Sequence, residues 1–223
     1  MASHTAFLIA LTGGSGSGKS TLVEALGERL GPGGSVTLAE DAYYWPLAHY
    51  AGASDAINYD NPSAKEVDRL HTDLSALKAG NPVNVPIYDY ARHDRSAEVC
   101  RVEPAPVILL EGIHALSMPT LTPLIDLRIY VDTPDDLRLA RRLRRDVLER
   151  DRDVEDVLEQ YLATVRPAHY RFTFPAKFQA DLVIADEGLP AYGDVKPSRS
   201  AIDRMLAPIL ERLSHENVLA ERR

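Results

Sequence analysis

Gly13-Gly14-Ser15-Gly16-Ser17-Gly18-Lys19-Ser20 is the stretch that most constrains the chain. It fits G-x-x-x-x-G-K-[ST], the P-loop pattern, which average residue usage yields by chance on the order of once per 10⁴–10⁵ positions. Each part has a physical task. The glycines let backbone N–H groups turn inward on phosphate oxygens without a Cβ in the way. A helix leaving the loop near Gly18 aims its positive end at the same anion. Lys19 adds a charge on the β- and γ-phosphates, and Ser20, with Thr21 behind it, offers a hydroxyl to Mg2+. The surroundings agree, because the apolar run Ala6 to Thr12 enters the motif as a buried strand would. Thr21-Leu22-Val23 with Ala25, Leu26 and Leu30 leaves it at helical spacing and stops at Gly31-Pro32. A nucleoside triphosphate is the expected ligand. The pattern does not say what becomes of its γ-phosphate.

The rest of the chain alternates strand-like and helix-like segments. Strands are predicted at Ser35 to Ala39, Val83 to Tyr90, Val107 to Leu110, Leu127 to Val131 and Ala180 to Ala185. Pro46 to Pro62 reads as loop, and Ser63 to Lys78 as a helix closed by Gly80-Asn81-Pro82. Thr133 and Pro134 have the types of an N-cap and first helical residue, predicting a helix from Pro134 to Arg150. A further helix is expected over Val154 to Arg166. Ile202, Met205, Leu206, Ile209, Leu210 and Leu213 form a last helical stripe, which Pro208 should kink or weaken. This alternation predicts an α/β fold with a mostly parallel central sheet flanked by helices. Residues 1–223 read as one domain, with elaborations at about 46–96 and 138–175.

Composition excludes other classes. At 45% hydrophobic and 26% charged the sequence is that of a folded globular protein, and its apolar runs are too short to cross a bilayer. Cys100 alone permits no intrachain disulfide or cysteine metal site, and the N-terminus lacks a basic region of signal-peptide type, so a cytoplasmic protein is expected. A net charge of −8 argues against a nucleic-acid or membrane partner. Seven arginines nevertheless fall between Arg138 and Arg152, a local patch suited to a small phosphorylated ligand.

Asp41 follows the second strand and should emerge near the P-loop, either as the base that takes a proton from an acceptor hydroxyl or as an ordinary loop cap. Glu111 closes the run Val107-Ile108-Leu109-Leu110, where an Mg2+-holding carboxylate belongs. Arg138, Arg141, Arg142, Arg145 and Arg150 fit a lid closing over a triphosphate, and equally a solvated helix face laced with ion pairs. His93, near Tyr88 and Tyr90, could bond a base or sugar, or lie idle on a surface loop. The Asn-Lys-x-Asp motif of switch GTPases is absent.

From about Phe7 to Ile184 the sequence resembles the uridine/cytidine kinase family of P-loop kinases. Beyond the P-loop, the resemblance rests on Glu40-Asp41-Ala42-Tyr43-Tyr44, Asn58-Tyr59-Asp60-Asn61-Pro62, Tyr88-Asp89-Tyr90 with His93, and Leu110-Glu111-Gly112-Ile113. It continues through Val131-Asp132-Thr133-Pro134, Arg141-Arg142, Arg145-Asp146, Glu149-Arg150, Arg152-Asp153, Gln160-Tyr161 and Arg166-Pro167. The resemblance implies ATP- or GTP-dependent phosphorylation of the 5′-hydroxyl of uridine or cytidine, with Mg2+. Asp41 then matches the catalytic base and Asp60 the acid that grips the ribose hydroxyls. Tyr59, Tyr88, Tyr90 and His93 match the pyrimidine pocket, and Arg142, Arg152 and Gln160 contacts to nucleoside and phosphates. Lys19, Arg145 and Arg150 match the groups that hold the transferring phosphoryl, and Ser20 and Glu111 the metal site. Family members are typically homotetramers. The alternatives are a related kinase acting on another small alcohol, of pantothenate or phosphoribulose type, and a nucleotide-binding regulator that transfers nothing. Three departures stand out: Asp151 replaces a glycine, Ser63-Ala64-Lys65-Glu66 lacks an acid common there, and Ala185 to Pro197 is a longer, acidic loop.

Overall fold

The computed structural model describes residues 5–50, 57–90, 92–186, 198–216 and 218. Five parallel strands form its centre: β1 (Phe7–Thr12), β2 (Ser35–Ala39), β5 (Val107–Glu111), β6 (Leu127–Asp132) and β7 (Leu182–Ala185), in the order β2-β5-β1-β6-β7. Strands covered on both faces need apolar residues along their length, and β1 and β5 have them up to their last residues, Thr12 and Glu111. Alternate residues serve opposite faces. Leu8 and Ala10 of β1 pack with Leu70, Leu74 and Leu77 of helix α2 (Val67–Lys78). Ile9 and Leu11 pack instead with Leu22 and Leu26 of α1 (Lys19–Leu30) and with Ile209 and Leu213 of α6 (Arg199–His215).

This topology lines up the carboxyl ends of the strands. Leu11 of β1 is in register with Glu111 of β5, and Ala39 of β2 with the same Glu111. The loop after β1, the turn after β2 and the end of β5 therefore share one edge, the usual ligand-binding edge of an open α/β sheet.

Several predicted boundaries move, each for a tertiary reason. The helix expected from Ser63 begins only at Val67. Pro62–Ala64 is a 3₁₀ turn, and the following residues are tied to an earlier turn, with a bridge between Tyr44 and Lys65 and a Glu66 N–H bond to Tyr43 O at 2.7 Å. Thr133 does not cap helix α3 (Asp135–Arg150); its hydroxyl donates to Ser17 O at 3.0 Å and fastens the P-loop instead. The helix expected to end at Arg166 is regular only as α4 (Val154–Gln160). Wide turns at Tyr161–Val165 and His169–Thr173 then flank the short α5 (Arg166–Ala168). Pro167 cannot donate a backbone bond and would crowd the carbonyl four residues back, and a wide turn before it relieves that clash. Pro208 leaves α6 continuous; the carbonyl it deprives belongs to exposed Arg204, where water can satisfy it.

Strand β4 (Asp94–Val102), antiparallel to β3 (Val83–Asp89), escapes sequence reading because its residues are mostly exposed and unpatterned. Arg95 anchors this hairpin by pairing with Glu66 and donating to Tyr43 O at 3.1 Å. Most of the Ala185 to Pro197 loop lies outside the described residues.

Candidate active site

Gly18 caps α1 in the left-handed region, at φ +84°, and Gly16 is left-handed too, at φ +79°. A Cβ at Gly16 would lie 2.4 Å from Arg138 O, so the loop is packed against α3 as well as turned by it. Buried Arg138 closes that contact, donating to Thr133 O at 3.2 Å and pairing with Asp135 at 2.6 Å. Arg142 Nη1 donates to Ser15 Oγ at 3.0 Å. Lys19 lies inside the loop, its Nζ donating to Gly13 O at 3.1 Å and Gly14 O at 3.2 Å. Burial pulls its ammonium below the ordinary value, against the carboxylates of Glu111, Asp41 and Glu40, which favour its charge.

Ser20 Oγ donates to both oxygens of Glu111, at 3.1 and 3.2 Å. Burial raises the Glu111 carboxyl above its ordinary value, with Lys19 opposing. Among the described residues no cluster of three or more His, Cys, Asp or Glu could hold a metal. A hydroxyl and one carboxylate are nonetheless the hard oxygen donors that suit Mg2+, which takes few protein ligands and completes its shell with phosphate oxygens and water.

Asp41 sits in the 3₁₀ turn after β2 (Glu40–Tyr43) and pairs with Lys65. Burial by itself would raise this carboxyl. The charge and hydrogen bond of Lys65, helped by Lys19 and Tyr44, outweigh it and hold Asp41 below the ordinary carboxylate value.

A wall of aromatic rings stands beside this turn. Tyr44 meets Tyr59 edge-on at 5.3 Å and Tyr88 at 5.0 Å, Tyr90 packs on Tyr88 at 5.4 Å, and His93 stacks on Tyr59 at 5.5 Å. The hydroxyls of Tyr59 and Tyr88 are buried and lie next to one another. Asp60 is held from two sides, its Oδ2 by Thr164 Oγ1 at 2.8 Å and its main-chain oxygen by His114 Nε2 at 2.8 Å. Burial and nearby Lys65 push the His114 imidazole down to about 4, so it is neutral.

The arginine run is not a uniformly solvated face, since Arg138 and Arg142 are buried. Arg142 Nε, Arg145 Nη2 and Arg150 Nη1 converge on the fully buried Asp146, at 3.4, 2.8 and 3.4 Å. Arg150 also lies over the Tyr90 ring at 5.3 Å, which joins this cluster to the aromatic wall. Arg142 and Arg152 share Gln160 Oε1. Asp151 ends α3 in the left-handed region at φ +51°, which accounts for glycine's suitability there.

The P-loop with Ser20 and Glu111, the aromatic wall with Asp60, and the α3 arginines thus adjoin along one sheet edge. Sequence reading passed over Lys65, Glu40, His114, Thr164 and Asp146. Asp146 was legible only as an i,i+4 partner of Arg142 and Arg150; the others gave no local signal.

No helix among the described residues is long and apolar enough to cross a membrane. The profile of the Phosphoribulokinase / Uridine kinase family matches residues 8–189. The chain is 44% identical over 182 residues to a uridine kinase of Staphylococcus epidermidis, covering 81% of this chain and 88% of that one. It is also 44% identical to a uridine kinase of Chloroflexus aurantiacus, covering 81% and 87%. Phosphoribulokinase from Rhodobacter spheroides shares the fold, with a TM-score of 0.60 at 17% identity over 88% of this chain and 76% of that one. With these matches the chain belongs to the phosphoribulokinase/uridine kinase family of P-loop kinases, phosphotransferases that act on a hydroxyl group and use a nucleoside triphosphate donor.

Proposed function

We propose that this protein is a pyrimidine nucleoside kinase, transferring the γ-phosphoryl of ATP or GTP to the 5′-hydroxyl of uridine or cytidine. The observation that supports the reading most is that the Asp41 carboxylate acts electrostatically on Lys19 of the P-loop and on the phenols of Tyr44 and Tyr90, the first of which packs on Tyr59 and Tyr88. Both similar relatives named above are uridine kinases.

In this reading the P-loop amides and Lys19 hold the β- and γ-phosphates, which requires Lys19 to leave the carbonyls it now bonds. Asp60 accepts hydrogen bonds from the ribose hydroxyls, and Tyr59, Tyr88, Tyr90 and His93 enclose the base. Arg142, Arg152 and Gln160 complete the nucleoside side. Asp41 accepts the proton of the 5′-hydroxyl as its oxygen bonds the γ-phosphorus. The bond from that phosphorus to the β–γ bridging oxygen breaks, and the nucleoside diphosphate leaves. Arg145 and Arg150 face the charge spread over the transferring group. Ser20 and Glu111 would hold Mg2+, which supplies charge neutralisation at the β- and γ-phosphates. A homotetramer is part of the same reading, and light scattering would test it.

The experiment is ADP release from purified protein, Mg2+ and ATP, with and without uridine, cytidine and a panel of other alcohols. Release that rises only with pyrimidine nucleosides supports the reading. Release driven by a different alcohol, or by none, overturns it. Asp41→Asn should lower turnover by at least about 100-fold while ATP binding is retained.

A further inference from the structure

Behind Asp41 lies a buried polar chain that the transfer step above does not use. The side chains of Lys65 and Glu40 are wholly enclosed, whereas 39% of the Asp41 side chain is exposed. Lys65 Nζ stands 3.4 Å from Glu40 Oε1, pairs with Asp41 Oδ1, and lies 3.7 Å from the centre of the Tyr44 ring. Glu40 is fixed in turn. Its Oε1 accepts the His114 N–H at 2.8 Å, and its stem fills the space beside Gly112, where a Cβ would come within 2.0 Å of it. His114 Nε2 continues to the main-chain oxygen of Asp60. The chain Asp41–Lys65–Glu40–His114–Asp60 therefore ties the Asp41 carboxylate to the main chain at Asp60.

We infer that Lys65 is a positioning residue for phosphoryl transfer, anchored by Glu40 and holding one oxygen of Asp41 so that the other faces the acceptor hydroxyl. The inference rests on the reading of Asp41 as the base. Its physical ground is that a buried ammonium between two carboxylates and over the face of an aromatic ring has one well-defined position and transmits it to both partners. A loose phosphoryl-transfer state asks more for alignment of the attacking oxygen than for a strong base, so a cation that weakens Asp41 while fixing it is compatible with turnover.

Lys65 is also the largest of the influences that favour the charged form of Asp41. Glu40 and Glu111 face Asp41 with like charge, and the phenols of Tyr44 and Tyr90 and the neutral imidazole of His114 lie nearby. Lys65 and Lys19 are the cations that oppose them, and the proposed reading assigns Lys19 to the phosphates. Without Lys65 the Asp41 carboxylate would keep its proton to higher pH.

Three variants test this: Lys65→Met; Lys65→Met with Glu40→Gln, which removes both wholly enclosed charges together; and Asp41→Asn. Folding is checked by circular dichroism, and uridine turnover is followed from about pH 5 to 9, where a protonated carboxylate would show as an acid limb. The double variant is expected to fold, to lose roughly 50-fold in kcat with KM for ATP within about twofold, and to move the acid limb of kcat/KM up by about one pH unit. A purely structural Lys65 would leave kcat and the acid limb of the folded double variant unchanged, which overturns the inference. So would loss of folding in both Lys65 variants. If Asp41→Asn keeps full turnover, the base reading falls and takes this inference with it. If Asp41→Asn is inactive while the double variant works normally, only the inference falls.

Discussion

Thr164 Oγ1 donates to Asp60 Oδ2 at 2.8 Å across 104 positions of sequence. The wide turn at Tyr161–Val165 carries the threonine to that point. A carboxylate fixed on one oxygen by a hydroxyl presents the other in a set direction. Thr164→Val keeps the side-chain shape and deletes the donor. The expected result is a 5- to 10-fold higher KM for the nucleoside, corresponding to the roughly 1 kcal/mol of one hydrogen bond, with KM for ATP unchanged. Steady-state kinetics with each substrate varied separately checks it.

Asp146 is the shared counter-ion of three guanidiniums and has no exposed surface. Asp146→Asn keeps the shape but leaves buried Arg142 without its carboxylate. Breaking a buried pair from one side costs about 3 kcal/mol, and for a chain of this size that lowers Tm by roughly 10 °C. Thermal unfolding followed by circular dichroism would show it. Because Arg142 also holds Ser15, ATP affinity should fall in the same variant.

Asp151 occupies the left-handed end of α3 without being glycine. Asp151→Gly removes the Cβ penalty, about 1 kcal/mol, and gives back part of it through the entropy of the unfolded chain. A gain of about 0.5 kcal/mol in urea unfolding is expected, with uridine turnover preserved.

Acid should unfold the protein partly through His169, whose imidazole is pushed down to about 4, by burial first and then by Arg138. Its folded value lies below the unfolded one, so its stability contribution is complete above about pH 6.5 and is lost as pH falls toward 4. Between pH 7 and 5 that loss is about 2 kcal/mol. His169 packs against Tyr170 and Phe174, and its Nδ1 has no hydrogen-bond partner, so phenylalanine suits the site. His169→Phe should therefore lose about 2 kcal/mol less than the parent between those pH values, measured by urea unfolding.

Local chemistry made much of this protein readable in advance. The glycines and Lys19 specify their own loop, because a phosphate cradle needs positive φ and close backbone approach at fixed spacing. Strands β1 and β5 declared themselves as apolar runs up to their last residue, since a strand covered on both faces has no polar side to show. Glu111 followed from ending such a strand, and Asp41 from standing just after β2. The partners of these groups were not readable, because they are set by packing between segments far apart in the chain. Lys65 looked like the start of a helix until the Tyr44 bridge drew it out into extended chain against Glu40 and Asp41. Thr133 had the residue type of a helix cap, yet the P-loop lies close enough for Ser17 O to claim its hydroxyl. Arg138 and Arg142 belonged to a run that any solvated helix could carry. Only the seating of α3 against Gly14 and Gly16 turned that face inward and made it the wall of the phosphate loop.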